Sequence, residues 1–282
     1  MGETGNRFHG DTVLPDASPG VTSVTIGIGV RYGLPANTTD GWWNCADTLA
    51  EPERFASWRK RLAEWLDVVY GSAPERTTAG YVMSWYLTVP GLVAGLLFHG
   101  ARRAPSLRPA DLAFRLGHPR PHPVEVAVLS RRFACLPDDP AAESPEATVV
   151  ADENALAALL RARFAAHAAE FVRVFGPTTR LGRHTLWSAA TDALDSGAWL
   201  AGKALGDEAR GAADAALLLP AGLPPFTSAS TLRPAKNGWT RRRESCCFHY
   251  VVAQSLCATC PRAIARMAPD FAGTVNAPVC GG

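Results

Sequence analysis

The sequence predicts an α+β fold, with a predominantly α-helical body, a few strands and a small C-terminal module that is rich in cysteine. Apolar residues recur at helical spacing in most long segments, and only two short segments alternate with the period of two that is typical of a strand. Four of the seven cysteines lie within residues 246–260. A run of proline and glycine at residues 220–225 separates the two parts. We therefore place the body at residues 1–225 and the module at residues 226–282.

The first part of the body is expected to contribute a strand and two helices. Residues 24–32 alternate between apolar and small or polar side chains, which favours a half-buried strand. Residues 51–70 carry phenylalanine, tryptophan and leucine at helical spacing. A second helix is expected from Pro74 towards His99. We expect a kink near Pro90, because proline removes a backbone hydrogen bond from a helix.

The middle of the chain is expected to be mostly irregular. Residues 105–122 are rich in proline, arginine and histidine, which predicts a loop with a short turn of helix at residues 111–116. Valines at alternate positions of residues 124–128 predict a second strand, which would continue towards Phe133. Aspartate and proline in residues 138–145 predict another loop.

Three further helices are expected before the module. Asp152 has the position of an N-cap residue, and apolar side chains follow it at helical spacing as far as Val174. A second helix is expected over residues 186–205, and an alanine-rich third over residues 207–219. With 47% hydrophobic residues in the chain, these helices can bury a substantial core.

The composition argues against a nucleic-acid partner. The formal net charge is +2 at pH 7 over 282 residues, so the chain has no strongly basic field. The glycines of residues 27–33 lack the spacing of a dinucleotide-binding fingerprint and fall inside an expected strand. No phosphate-binding loop motif is present in the sequence. We therefore expect neither nucleic acid nor a nucleotide to bind.

The cellular location follows from two segments. Residues 1–11 are polar and lack the apolar region of a secretory signal. The most apolar segment, residues 81–98, just reaches the length of a membrane span, but Pro90, Gly91 and Gly95 interrupt it, which favours a buried core helix. The sequence therefore predicts a cytoplasmic protein with at most peripheral association with the inner face of the cell membrane. Thiols stay reduced in that compartment.

The cysteines of the module are Cys246 and Cys247, followed by Cys257 and Cys260. Four thiols this close in sequence indicate a metal or iron–sulfur site. Adjacent cysteines point their side chains apart along an extended chain, so they are poorly placed to share one tetrahedral zinc ion. A [2Fe–2S] cluster removes this difficulty, because each of its irons takes two cysteines. Disulfides, a structural zinc site and a set of unrelated buried thiols remain alternatives.

The segment around these cysteines resembles the C-terminal signature of a known family. Residues 239–250 read WTRRRESCCFHY, and residues 257–261 read CATCP. Both are similar to the pattern R-R-x-x-C-C-x-x-Y … C-x-x-C-P of the FhuF-like ferric-siderophore reductases. Nine residues separate the two cysteine pairs, one fewer than the commonest spacing in that family. Upstream, the similarity is limited to a mostly helical body with Leu186 and Trp187 at the start of a helix.

The resemblance implies that Cys246, Cys247, Cys257 and Cys260 hold a [2Fe–2S] cluster and that the module is a [2Fe–2S]-binding module. It implies an oxidoreductase that passes one electron to Fe(III) held by a hydroxamate or catecholate siderophore, bound in the helical body. A cluster accepts one electron whereas a hydride carries two, so a ferredoxin or a flavoprotein reductase is the expected donor. Two alternatives stay open: a ferredoxin-like electron carrier for another enzyme, and a non-enzymatic binding protein with a structural zinc site.

Charged residues beside the cysteines have two possible roles. Arg241, Arg242 and Arg243 could form a solvated basic turn. They could instead stabilise the reduced cluster and attract an anionic chelate or an acidic donor protein. His249 could donate a hydrogen bond to a sulfur, or it could simply be exposed. The sequence is compatible with both roles for each residue.

The remaining histidine and cysteine candidates are expected to be structural. His167 falls near the apolar stripe of its helix and is expected to be a hydrogen-bonded core residue. Cys45 and Cys135 are isolated in sequence and are expected to be buried thiols. Cys280 lies two residues from the end of the sequence and is not expected to be a ligand.

Overall fold

The computed structural model describes residues 28–35, 41–253 and 255–266, and it confirms an α+β fold that is mostly helical. The α-helices of these residues are α1 (Cys45–Ala50), α2 (Pro52–Tyr70), α3 (Glu75–Ala101), α4 (Glu153–Phe175), α5 (Arg183–Ala204), α6 (Glu208–Leu218) and α7 (Tyr250–Ala253). The strands are β1 (Gly29–Tyr32), β2 (Trp42–Asn44), β3 (Ala104–Pro105), β4 (Leu112–Leu116), β5 (Pro123–Val128), β6 (Phe133–Cys135), β7 (Ala147–Val149), β8 (Arg233–Ala235) and β9 (Gly238–Thr240).

The strands form three small sheets. The first has the order β1-β5-β4-β2, in which β1 runs parallel to β5 and the other neighbours are antiparallel. The second has the order β3-β6-β7, and the third is the β8-β9 pair. In the first sheet the buried side chains of Phe114 and Val126 stand opposite each other, so that this face of the sheet belongs to the helical core.

Helix α3 is the central element of the core. All its residues from Thr77 to His99 are buried except Ser84 and Thr88, and α2, α4, α5 and α6 pack around it. Pro90 lies inside α3 without ending it. Its ring removes only one hydrogen bond, and the surrounding helices hold the segment in place. Helix α3 is apolar on nearly every side because it is buried on nearly every side.

Helices α3 and α5 approach each other at glycines. A Cβ atom on Gly95 would overlap the backbone of Gly197, and a Cβ atom on Gly197 would overlap the carbonyl group of Gly91. A Cβ atom on Gly91 would lie 2.6 Å from the carbonyl oxygen of Ala193. No side chain fits between the two backbones, so this crossing depends on glycine at all three positions.

A buried ionic group fixes the far end of α3. His99 Nδ1 lies 2.6 Å from Asp214 Oδ2, and Arg102 Nη1 donates to Asp214 Oδ1 at 2.7 Å. Asp214 belongs to α6, so these contacts tie α6 to the C-terminal end of α3. These contacts offset the free-energy cost of burying the Asp214 carboxylate.

The predictions for the middle of the chain were wrong in part. Residues 111–116 were expected to form a helical turn, but Leu112–Leu116 is β4, because both of its edges are occupied by hydrogen-bonded neighbours, β2 and β5. Strand β5 ends at Val128 and does not continue towards Phe133, which lies in β6 of another sheet. Helix α1 and strand β2 were not expected at all.

Helices α2 to α6 agree with the sequence within a few residues, whereas the short elements β3, β7, β8, β9 and α7 were not expected. Asp152 is the N-cap of α4, and its side chain accepts a hydrogen bond from Ala155 N at 2.8 Å. Of the expected strand at residues 24–32, β1 covers 29–32, and residues 24–27 lie outside the described part. The kink near Pro90 and the boundary at residue 225 stay predictions.

Among the described residues, α3 is the one helix whose length and apolar composition would allow it to cross a membrane. In the structure 89% of its most apolar window is buried. This agrees with the expectation of a core helix. The cytoplasmic location itself stays a prediction.

We expect Gly197→Ala to lower the free energy of unfolding by about 3 kcal/mol, because the new methyl group overlaps the carbonyl of Gly91 on α3. Higher helix propensity would on its own raise stability by about 1 kcal/mol, so the sign shows which effect dominates. Urea denaturation followed by circular dichroism measures the change. Gly182→Ala is the control, since no atom lies within 4 Å of its added Cβ. A Gly197→Ala protein as stable as the control would contradict the close crossing.

Candidate functional site

The structure brings the cysteines of the module together. Cys247, Cys257 and Cys260 are buried and pack against one another in a small apolar cluster separate from the main core. Cys246 is half-buried and lies near Cys247 and Cys260, which interact with it electrostatically. The two pairs that are separated in sequence are therefore neighbours in space.

Backbone hydrogen bonds shape the two cysteine pairs. Phe248 N donates to Cys246 Sγ at 3.4 Å, an N–H···S contact of the kind that tunes cluster potentials. Cys260 N donates to Cys257 O at 3.0 Å, which closes the C-x-x-C segment into a turn. The pKa of Cys246 is raised, mainly by burial, while the Phe248 N–H and Arg243 oppose that increase. A cation bound here would have to displace the thiol proton.

Proximity alone does not make these side chains a metal site. Within residues 28–35, 41–253 and 255–266, no group of three or more His, Cys, Asp or Glu side chains is arranged to hold a metal ion. The structure thus shows neighbouring cysteines, and their role as ligands stays a prediction.

The segment before the cysteines is anchored to α5 by Asp192. Oδ1 of Asp192 accepts from Arg241 Nη2 at 2.6 Å and from Glu244 N at 2.9 Å. Its Oδ2 accepts from the backbone N and the hydroxyl of Ser245, at 2.8 and 2.6 Å. Arg243 Nε lies 3.7 Å from the same Oδ2. One buried carboxylate therefore contacts four of the five residues that precede Cys246.

Asp195 and Ser196 extend this anchor along α5. Asp195 accepts from the hydroxyls of Ser230 at 2.6 Å and Thr231 at 3.1 Å, and it lies 3.7 Å from Arg241 Nη1. The hydroxyl of Ser196 contacts the same guanidinium group. The polar face of α5 therefore binds the chain both near residue 230 and next to the cysteines.

The solvated-turn interpretation of the arginines is wrong for two of the three. Arg241 and Arg243 are buried, and Arg243 also donates to Ser84 Oγ on α3 at 3.0 Å. Arg242 is exposed and lies 3.4 Å from Glu244, as expected of a surface residue. The buried pair has a structural partner in Asp192, so its charge is largely compensated locally.

His249 is buried and does not point freely into solvent. Its Nδ1 lies 2.6 Å from the hydroxyl of Tyr81 on α3, and the ring of Tyr70 packs edge-on against it. Burial lowers the pKa of His249, Cys247 opposes this and Arg120 adds to it. His249 therefore fixes the segment that follows Cys247 onto α3. A hydrogen bond from His249 to a sulfur stays a prediction.

Gly80 of α3 packs closely against Phe248 and Cys247. Phe248 is part of the main core and has a φ of 59°, a left-handed conformation that is unfavourable for a bulky residue. A Cβ atom on Gly80 would lie 2.7 Å from Phe248 Cδ2 and 3.0 Å from the carbonyl oxygen of Cys247. The missing side chain at position 80 therefore makes room for Cys247.

A cavity of about 300 Å³ adjoins the cysteines. The turn of Cys257, Ala258 and Thr259 forms one wall, and α3 contributes Ser84 and Thr88, the two positions of its central part that are not buried. The remaining lining residues belong to α5 and to the arginine segment: Ala189, Asp192, Ala193, Ser196, Trp199, Leu200, Lys203, Arg241 and Arg243. The cavity is therefore open to a small group that would lie next to Cys257.

The other candidates lie away from this site or outside the described residues. Cys45 and Cys135 are buried as expected, and burial raises the pKa of Cys45 to about 12. His167 is a core residue, bonded to Tyr86 and to the carbonyl of Leu107 at 3.0 and 2.7 Å. Burial lowers the pKa of His167 to about 4, so it is neutral near pH 7. Cys280 lies outside the described residues.

Several residues of this site were not found from the sequence. Asp195 and Ser196 follow Asp192 by three and four residues, so all three lie on one face of α5. Two aspartates inside an alanine-rich helix are a signal that such a face binds something polar. Gly80 and Tyr81 gave no comparable signal, because their role depends on a contact with residues 247–249 that are far away in the sequence.

Comparison with known protein families and with curated proteins gives no match to this chain.

We expect Gly80→Ala to displace the backbone at Cys247, because the carbonyl oxygen of that residue cannot move aside as easily as a flexible side chain. An overpacking cost of about 1.4 kcal/mol corresponds to about tenfold more frequent local opening. The rate at which N-ethylmaleimide labels Cys247 in metal-free protein, measured by mass spectrometry, reports this opening. Gly182→Ala is the control, and equal labelling rates in the two variants would contradict the contact.

Proposed function

We propose that this protein is a ferric-siderophore reductase, an oxidoreductase that passes one electron to siderophore-bound Fe(III) so that Fe(II) is released in the cytoplasm. The observation that carries the proposal is the gathering of Cys246, Cys247, Cys257 and Cys260 beside a cavity in which Cys257 is a wall residue. A redox group held by these sulfurs would lie next to the space where a chelate can enter.

The donor set fits a [2Fe–2S] cluster by its chemistry. Two pairs of thiols match the two irons, three of the four are buried, and one receives an N–H···S hydrogen bond. When bound, this group supplies a single electron at a time. In this proposal Cys246, Cys247, Cys257 and Cys260 would hold it, and the surrounding protein would exclude water from three of the sulfurs.

Reduction is sufficient to release the metal from its carrier. Hydroxamate and catecholate oxygens are hard ligands, and they hold Fe(III) more tightly than the less charged Fe(II). The protein therefore has to position the chelate and deliver an electron, and it breaks no covalent bond of the siderophore. Such a reaction needs neither a nucleophile nor an acid–base pair.

The cavity would bind part of the chelate. Its volume of about 300 Å³ is at the lower end of small-molecule sites, so it suits one arm of a siderophore better than the whole complex. Ser84, Thr88 and Thr259 offer hydroxyl groups, while Trp199 and Leu200 offer apolar surface. Lys203 carries a positive charge above the Trp199 ring, with its Nζ 5.2 Å from the ring centroid.

The proposed electron donor is a ferredoxin or a flavoprotein reductase, since the sequence has no recognisable nucleotide or flavin motif. The turn at Ala258 is exposed, so the second cysteine pair lies close to the protein surface. A donor that docks there would need to reach only a short distance into the protein.

The cofactor prediction is tested by composition and spectroscopy. We expect protein purified anaerobically to contain two irons and two acid-labile sulfides per chain, and to give a rhombic S = 1/2 EPR signal after dithionite reduction. Serine at position 246, 247, 257 or 260 should abolish or strongly alter the signal, because a hydroxyl group is a poor substitute for a thiolate at iron. Cys45→Ser and Cys135→Ser are matched controls that should keep it.

Stoichiometric zinc in iron-replete, anaerobic protein would contradict this prediction and favour a structural zinc module.

The electron route is tested by stopped-flow spectroscopy. We expect the proposed cluster to stay oxidised with NADPH alone, because a hydride donor needs a flavin to divide its electron pair. Adding a ferredoxin with its reductase should reduce the cluster and bleach its visible absorption. Ferric hydroxamate or ferric catecholate should then restore the oxidised spectrum while an Fe(II) trap changes colour. Failure of every ferric siderophore to reoxidise the protein would instead favour an electron carrier.

A further inference from the structure

We propose that Asp192 is a positioning residue of the redox site: its carboxylate holds the two cysteine pairs in register and, by neutralising Arg241 and Arg243, sets the reduction potential of the group that the cysteines bind. This inference deepens the proposed function and rests on it. Asp192 belongs to the helical body, 54 residues before the first cysteine of the module, so its role is visible only in the fold.

Asp192 fixes the first cysteine pair through the backbone. Its two oxygens accept hydrogen bonds from the N–H groups of Glu244 and Ser245, at 2.9 and 2.8 Å, and Ser245 is bonded covalently to Cys246. Backbone bonds of this kind fix direction as well as distance. The chain therefore leaves α5 towards Cys246 and Cys247 along one path.

The second pair is connected to the same anchor. Arg243 N donates to Thr259 O at 3.1 Å, and Thr259 precedes Cys260 within the C-x-x-C turn. The side chain of Arg243 faces Asp192, with Nε at 3.7 Å from the carboxylate. A displacement of the arginine segment would thus move Cys260 relative to Cys247 as well.

The charges around Asp192 are close to balanced. Arg241 and Arg243 contribute two positive charges, and Asp192 and Asp195 contribute two negative charges, all in buried side chains. Screening by salt is weak for buried charges, so a change of one charge acts strongly on a neighbouring site. Arg243 is also close to the cysteines, because its backbone N donates to the carbonyl oxygen of Thr259, next to Cys260. Loss of a negative charge should therefore raise the reduction potential of the bound group, and loss of a positive charge should lower it.

The signs of the two changes are opposite. Asp192→Asn removes one negative charge and leaves the group of four with a net positive charge, which favours the more negative, reduced state of the bound group. Arg241→Gln removes one positive charge, leaves a net negative charge and disfavours that state. A purely structural role would weaken the site in both variants without opposite shifts of the potential.

The test is a redox titration of the purified, cluster-containing protein against one-electron dyes, without any siderophore. At a fixed solution potential, we expect the ratio of reduced to oxidised protein to rise about tenfold in Asp192→Asn and to fall about tenfold in Arg241→Gln. Tenfold corresponds to 59 mV for a one-electron couple. The double variant Asp192→Asn/Arg241→Gln should return to within about threefold of the unchanged protein, because the charges cancel again.

Asp214→Asn is the matched control. It also removes a buried carboxylate from an arginine partner, but Asp214 contacts His99 and Arg102 at the opposite end of α3 from Gly80, which contacts the cysteine segment. Nineteen residues of helix separate Gly80 from His99, about 28 Å at 1.5 Å per residue. We expect this variant to lose stability and to keep the potential of the unchanged protein.

Each outcome decides the proposal. Shifts of the same sign in Asp192→Asn and Arg241→Gln, or no shift in either with full iron content, would overturn it. Loss of the cluster from a folded Asp192→Asn protein, with retention in Asp214→Asn, supports the positioning role. The direction of the shift in reduction potential is then tested by Arg241→Gln alone.

A separate measurement covers the case in which the protein holds no cluster, which would refute the proposed function. In metal-free protein, we expect N-ethylmaleimide to label Cys246 and Cys247 about tenfold faster in Asp192→Asn than in Asp214→Asn, equivalent to about 1.4 kcal/mol of lost local stability. Equal labelling rates would overturn the positioning role of Asp192 independently of any metal.

Discussion

The close crossing of α3 and α5 is the constraint on which the rest of the structure depends. Three glycines let the two backbones touch, and this contact fixes the distance between the helices at the crossing. Ser84 and Thr88 of α3 line the cavity together with Asp192 and Ser196 of α5. A side chain inserted at the crossing would therefore change the distance between the two walls that hold the cysteine segment.

The cysteine segment is held by two different kinds of interaction. Asp192 on α5 binds it through charge and backbone hydrogen bonds, while α3 binds it through packing, with Phe248 against Gly80 and Tyr81 bonded to His249. Polar contacts give direction, and apolar packing gives most of the free energy. Arginines that look like a docking surface in the sequence are largely used inside the protein, where their carboxylate partner offsets the cost of burying them.

The sequence predicted the elements whose signal is local and missed those that depend on tertiary contacts. The long helices and the Asp152 cap were predicted, because helical periodicity and N-cap chemistry act within one segment. Residues 111–116 were predicted to form a turn of helix, because the strand conformation of residues 112–116 comes from pairing on both sides and has no local signal. The cysteines could be selected from spacing alone, but the partners of Arg241 and Arg243 could not, since Asp192 lies about fifty residues earlier in the chain.

The division of the cysteines between two supports has a consequence for how a metal centre is assembled. Phe248 is part of the main core, so the body determines the place of Cys246 and Cys247 when it folds. Cys257 and Cys260 lie on a short turn near the surface, and a backbone hydrogen bond from Arg243 to Thr259 connects this turn to the arginine segment. A metal centre at these cysteines would then be supported by the main core on one side and by the arginine segment on the other, unlike small zinc modules that fold only around their ion.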